Sequence, residues 1–332
     1  MPSSFREIFV GLSSVCRSSG LVVLAWPGFP PFRASWLLVE TSSHLDLDEL
    51  VVRCVELLAP TCCPSVRRTC RRRQSHSSFN AKNEIVASSA IAITQGHLRN
   101  AQGEHAPYEV PRALETDEIP AIVEDYRKCS ELAKQVGFDG VEIHAANGYL
   151  VDTFLQSSTN KRTDKYGGSI ENRSRFLLEI VDAIKTVWSS DRIGVRLSPN
   201  GSFGQMGSED NVETYKYVFQ QLSQHNLAYV ALLDGFGFGY HGKCPLVTVS
   251  DAKTHFKGNV FATNSYTRDI AEGVIRSGAA DAVGFGRLYI SNPELAERFQ
   301  NDWPLNADAE YADYWDVSKG AEGYTTFPAY KA

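Results

Sequence analysis

From about residue 117 the apolar positions fall into two alternating periods. Ile119, Ile122, Val123 and Tyr126 recur at helical spacing, the run continues to Val136, and Gly137 stops it. Thr116-Asp117-Glu118 supplies a capping residue and first-turn acids, and Pro120 is tolerated in a first turn, so a helix is predicted there. Phe138 to His144 reads as a short strand, followed by a long loop. Ser169 to about Val187 reads as a helix with Phe176, Leu177, Ile180, Val181 and Ile184 on one face. Further strands are predicted over 193–197, 227–233, 260–263 and 282–285, with helices over 211–225 and 267–277. Asn292 is expected to cap a last helix with Pro293 at its first position.

Such alternation implies a parallel sheet covered by helices, either an open doubly wound sheet or a (β/α)8 barrel. His144, Asn147, Arg196, Asp234, Asn264, Gly286 and Arg287 all fall at or just after carboxyl ends of successive strands. In a barrel those ends converge on one mouth, whereas in an open sheet they spread along an edge. No Gly-x-Gly-x-x-Gly follows an early strand, so the α/β reading favours a (β/α)8 TIM barrel. Five strands come from residue 138 onward; 21–25, 36–40 and 85–93 are candidates for the other three.

Composition splits the chain. The 332 residues are 43% hydrophobic and 22% charged, ordinary for a globular enzyme-sized chain. Five of seven Cys lie in residues 1–80, while all 14 Tyr lie at or after Tyr108. Nine Arg against six acids give residues 1–80 a charge of +3; 24 bases against 33 acids give the rest −9. The overall −6 disfavours a nucleic-acid or anionic-membrane partner. No apolar run is long enough to span a bilayer, and 19–26 lacks a basic leader, so neither a membrane anchor nor a secretory signal is expected. A cytoplasmic location is the default. The Cys lack paired metal-ligand spacing, and no metal is expected.

Three groups carry candidate chemistry. Gly284, Gly286 and Arg287 follow a strand where glycines admit a phosphate to the backbone and Arg supplies a fork of donors; a tight turn with a surface Arg is the plainer alternative. His144 and Asn147 can aim two donors at one carbonyl oxygen, with Tyr149 nearby as a general acid; a satisfied loop histidine is the plainer alternative. Arg196 sits mid-strand, where it must meet either an anionic ligand or a core acid.

The stretches His144–Leu155, Asn160–Phe176, Gly194–Pro199 and Gly284–Pro293 strongly resemble the old yellow enzyme family, which includes the plant oxophytodienoate reductases. Pro107–Leu114 and Arg73–His76 extend the resemblance to roughly 73–330. The resemblance implies a (β/α)8 barrel holding FMN, with NADPH as reductant and an α,β-unsaturated carbonyl compound as substrate. It implies that His144 and Asn147 hold the substrate carbonyl and that Tyr149 protonates the α-carbon. It assigns Arg196 to the flavin, and Asn264, Ser265, Gly284, Gly286 and Arg287 to the cofactor phosphate region. Phe327 falls where the family often places a substrate-facing Tyr, and Asn264-Ser265 replaces a glycine-containing pair.

One domain over 1–332 is expected, with 73–332 the recognisable flavin-oxidoreductase portion and 1–72 atypical, mis-framed or disordered. The family's Pro-x-Thr and His-x-Gly-Arg segments are not recognisable there, yet the spacing from Gly20 to Arg73 suits them. Right spacing with wrong letters predicts a frame error within 24–72. The rival to an active ene-reductase is therefore an impaired or inactive barrel that lacks its N-terminal flavin contacts. An aldolase- or isomerase-type phosphate barrel is a weaker rival, because no Schiff-base Lys or carboxylate base stands at a strand end. The segment 303–330 is expected to pack near the barrel mouth.

Overall fold

Strands that are apolar at nearly every position need cover on both faces, and the fold supplies it. The computed structural model describes residues 36–39, 73–79, 84–234, 239–310, 312–313, 319, 321–323 and 326–331. Four short strands precede or flank the main body: β2 (Val86–Ala87), β3 (Leu98–Arg99), β4 (His105–Ala106) and β5 (Arg112–Ala113). The central sheet contains β1 (Trp36–Val39), β6 (Gly140–Ala145), β7 (Ile193–Leu197), β8 (Tyr229–Leu233), β9 (Asn259–Thr263) and β10 (Ala282–Gly284). It is parallel throughout, in the order β1-β6-β7-β8-β9-β10.

Among the described residues, β1 and β10 are the two ends of this sheet, which supplies six of the eight strands that a closed barrel requires. The expected strand over 36–40 is β1, paired with β6. The expected strand over 85–93 shrinks to β2, which pairs with β5 outside the main sheet. Its continuation is diverted by serines: the Ser88 hydroxyl reaches the carbonyls of Thr153 (2.7 Å) and Thr159 (2.9 Å), and Ser89 accepts the Lys161 N–H. The candidate over 21–25 lies outside the described residues, as does most of 1–72.

Helices α1 (Ile119–Gln135), α3 (Ile170–Lys185), α4 (Asn211–Gln224) and α6 (Arg268–Arg276) follow the predicted pattern. The cap of α1 differs. Glu118 takes the position, while the Thr116 hydroxyl donates to Asp164 instead. The Glu118 carboxylate is held by Arg112 at 2.7 and 2.9 Å and by the Glu115 N–H at 2.7 Å. Three short helices were not legible: α2 (Leu150–Leu155), α5 (Val249–His255) and α7 (Arg287–Ser291). The last helix is also displaced. Asn292 closes α7, its amide donating to the Leu288 carbonyl at 2.8 Å, and Glu294 precedes α8 (Leu295–Asn301).

The two faces of the sheet differ. Val141, Ile143, Val195, Val230, Leu232 and Val260 join the helices in one large core. The opposite face carries a small cluster of Tyr229, Ala231, Phe261 and Ala282, with Tyr229 and Phe261 stacked at 4.4 Å. Glu142, His144 and Arg196 share that second face by register.

Candidate active site

His144 is the fifth residue of β6 and lies opposite Arg196 of β7. Both are buried, at 4% and 8% exposure. The strand then breaks into a turn that sets Asn147 at φ 56° and Gly148 at φ 73°. Only Gly148 is obligatory: a Cβ there would lie 2.6 Å from Gln74 Nε2 and 2.8 Å from Met206 Cγ. The Asn147 N–H donates to Ser198 Oγ at 2.7 Å, and Gln74 Nε2 donates to the Asn147 carbonyl at 2.5 Å. Tyr149 follows in extended conformation as the cap of α2, its ring edge-on to His144 at 5.2 Å. The sequence-predicted trio of His144, Asn147 and Tyr149 is thus gathered at one strand end.

Asp152 anchors this turn from below. It is fully buried, and its carboxylate accepts the Gly148 N–H (2.8 Å), the Tyr215 hydroxyl (2.9 Å) and the Gln156 amide (2.9 Å). Burial pushes its pKa up to about 6, and those hydrogen bonds hold it from going higher. Glu142 lies two residues before His144 on the same face, buried to 3% exposure, with its carboxylate accepting the Tyr229 hydroxyl at 3.0 Å. Burial raises its pKa, and the Arg196 guanidinium and that hydroxyl pull it back. Neither Asp152, Glu142 nor Tyr229 was singled out from sequence. A charged residue inside an apolar strand is the signal that points to Glu142 as it does to Arg196.

A second group lies at the carboxyl ends of β9 and β10, whose last residues, Thr263 and Gly284, are register partners. Asn264 and Ser265 follow at φ 86° and 67°, the left-handed conformation that a glycine pair would adopt without strain. The Arg287 guanidinium donates to Ser265 Oγ at 2.8 Å, tying the two loops together. Gly286 caps α7, and a Cβ built on it would stand in open space. Both groups therefore occupy the carboxyl edge of one sheet, with β8 between them.

Asp234, just past β8, is itself bridged to this edge by the Tyr266 hydroxyl at 2.8 Å. Its other oxygen, Oδ1, is buried. Burial raises its pKa from 3.8 to about 6, so the folded state binds the proton more tightly than the unfolded chain. The stabilisation from this proton is complete below about pH 4 and is lost as pH rises through about 6. Asp234→Asn is expected to flatten that fall and raise Tm at pH 7. Thermal melts of both proteins at pH 4 and pH 7 check it; an unchanged pH slope counts against the assignment.

Phe327 is half-buried in the C-terminal segment. The contacts of that segment run to α8: Trp303 stacks on Tyr330 at 4.4 Å, and the Pro328 carbonyl accepts from Arg298 (3.1 Å) and Asn306 (2.8 Å).

Residues 73–306 match the model of the NADH:flavin oxidoreductase / NADH oxidase family. The chain is 39% identical over 229 residues to 12-oxophytodienoate reductase 1 of Oryza sativa subsp. japonica, covering 67% of this chain and 58% of the rice protein. Among solved structures it is similar to morphinone reductase in complex with tetrahydroNAD. That match has TM-score 0.70 and 37% identity, over 79% of this chain and 71% of the other. The old yellow enzyme homologue of Zymomonas mobilis superposes with TM-score 0.72 and 34% identity, over 77% and 71% of the two chains. No helix among the described residues is long and apolar enough to cross a membrane.

Proposed function

The chain belongs to the NADH:flavin oxidoreductase / NADH oxidase family, within its old yellow enzyme branch, and on that premise we propose that it is an FMN-dependent ene-reductase using NADPH. The substrate class is an α,β-unsaturated carbonyl compound. The six-stranded sheet is read as the larger arc of a (β/α)8 barrel. The observation that carries the proposal is the pairing of His144 and Asn147 with Tyr149 on one strand-end turn.

The residues present fit the cofactor. Gly286 leaves open space where a side chain would stand, and Arg287 lies beside it with its fork of donors. Ser265, Asn264 and Gly284 complete the same loop pair. Arg196 brings a buried positive charge to the face shared with His144. Bound FMN would supply the chemistry that passes a hydride from NADPH to the β-carbon of the alkene.

The chain's own residues do the rest. His144 and Asn147 direct donors at the substrate carbonyl, holding it and stabilising negative charge as it develops on oxygen. The Tyr149 hydroxyl delivers the proton to the α-carbon. Burial of this corner excludes water, which strengthens each hydrogen bond. His144→Ala and Asn147→Ala are each expected to weaken binding of a para-substituted phenolate, an enolate mimic, by about tenfold to a hundredfold. Titration of the ligand against the holoprotein measures it; unchanged affinity in both variants counts against the oxyanion role.

The deciding experiment is direct. Purified protein is expected to be yellow, with a flavin band that bleaches on NADPH and recovers when an enone is added. Colourless protein that takes up no added FMN would instead support the rival, an impaired barrel whose N-terminal segment lacks the family's flavin contacts. The observation that keeps this second reading in play is that the family match begins at residue 73.

A further inference from the structure

Beneath His144 and Arg196 lies a buried polar group that the reaction does not use. Glu142 is one pleat below His144 on β6, opposite Gly194. Gly194 is in turn opposite Tyr229 of β8. A side chain at 194 cannot be accommodated: a Cβ would lie 2.3 Å from the Tyr229 ring. The glycine therefore opens a passage through which the Tyr229 ring crosses β7 to reach the Glu142 carboxylate at 3.0 Å. The ring is fixed on its other side by stacking on Phe261 at 4.4 Å. An acid held this firmly, 3% exposed and one pleat below a buried arginine, is a costly arrangement unless its charge is used. The Oε1 atom, which the tyrosine does not engage, has no hydrogen-bond partner among the described residues. Within this layer Arg196 is the positive group that acts on the carboxylate.

We propose that Glu142, one pleat below Arg196 on the inner face, sets how much positive charge Arg196 offers the flavin. The inference rests on the FMN reading given above. With Glu142 in place, the carboxylate offsets part of the guanidinium charge. Without it, Arg196 presents its whole charge to the reduced, anionic cofactor, in surroundings of low dielectric where the difference is large. Tyr229 contributes by favouring the ionised carboxylate through its hydroxyl.

The test is the midpoint potential of the FMN-loaded protein, measured against reference dyes, for wild type, Glu142→Gln and Tyr229→Phe. Glu142→Gln is expected to raise the potential by a tenfold change in preference for reduced over oxidised flavin, about 30 mV for a two-electron couple. Tyr229→Phe is expected to move it in the same direction by less. It also carries the test if the glutamine variant fails to fold. A purely structural role would change FMN retention and thermal stability while leaving the potential where it was. A potential that is unmoved or lowered in FMN-binding variants overturns this proposal alone. A wild-type chain that takes up no FMN overturns the flavin reading, and this proposal with it.

Discussion

Tyr149→Phe is expected to slow enone reduction by about two to four orders of magnitude while leaving bleaching of the flavin band by NADPH at its wild-type rate. The asymmetry follows from where the hydroxyl is needed. Tyr149 leads directly into α2 from the His144 turn, with its ring edge-on to the histidine at 5.2 Å. In the proposed mechanism its oxygen is the proton source for the α-carbon, so only the half of the cycle that makes the C–H bond depends on it. The ring itself remains in the variant, and with it the contact to His144. Stopped-flow measurement of each half separately reads the difference. Equal slowing of both halves would show that the phenol serves the flavin or the nicotinamide, and would remove it from the proton-donor role.

Phe154→Ala is expected to lower stability by about 3–5 kcal/mol, a fall in Tm of roughly 10 °C. Phe154 is fully buried in α2. Its ring packs against Phe176 of α3 at 4.5 Å and Tyr166 at 6.3 Å, and the Arg162 guanidinium lies 5.8 Å from it. Truncation leaves a void between two helices and a sheet, none of which can close it without shifting the others. Calorimetry on the two proteins decides; a loss below about 1 kcal/mol would mean that the α2–α3 contact relaxes freely.

The order of strands and long helices was legible because burial imposes a period on the letters. Ile180 and Ile184 of α3, or Val141 and Ile143 of β6, announce their core face directly. Helix α2 is not legible in the letters, for the opposite reason. All six of its residues are buried, so it has no polar face and no amphipathic period to detect. The site was legible where residue type and strand-end position coincided, as for His144, Asn147, Arg196 and Arg287. Asp152 and Glu142 were hidden because an acid in an apolar stretch declares a partner without saying which. Their partners, Tyr215 and Tyr229, lie 63 and 87 residues away. The left-handed backbone at Asn264 and Ser265 runs against the usual preference of Ser, and only the resemblance, which places glycines there, pointed to it.

The burial of α2 has a dynamic consequence. Catalytic side chains on surface loops sample many orientations and must be gathered at each turnover. Tyr149 is joined instead to a helix whose every residue is enclosed, and Asp152, one turn along, is hydrogen-bonded to the backbone of the same turn. Loosening the turn that carries the phenol therefore disturbs the packing of α2 between sheet and helices. In the ene-reductase proposed above, adaptation to different alkenes then falls to the surrounding loops, which open locally at lower cost than the enclosed helix.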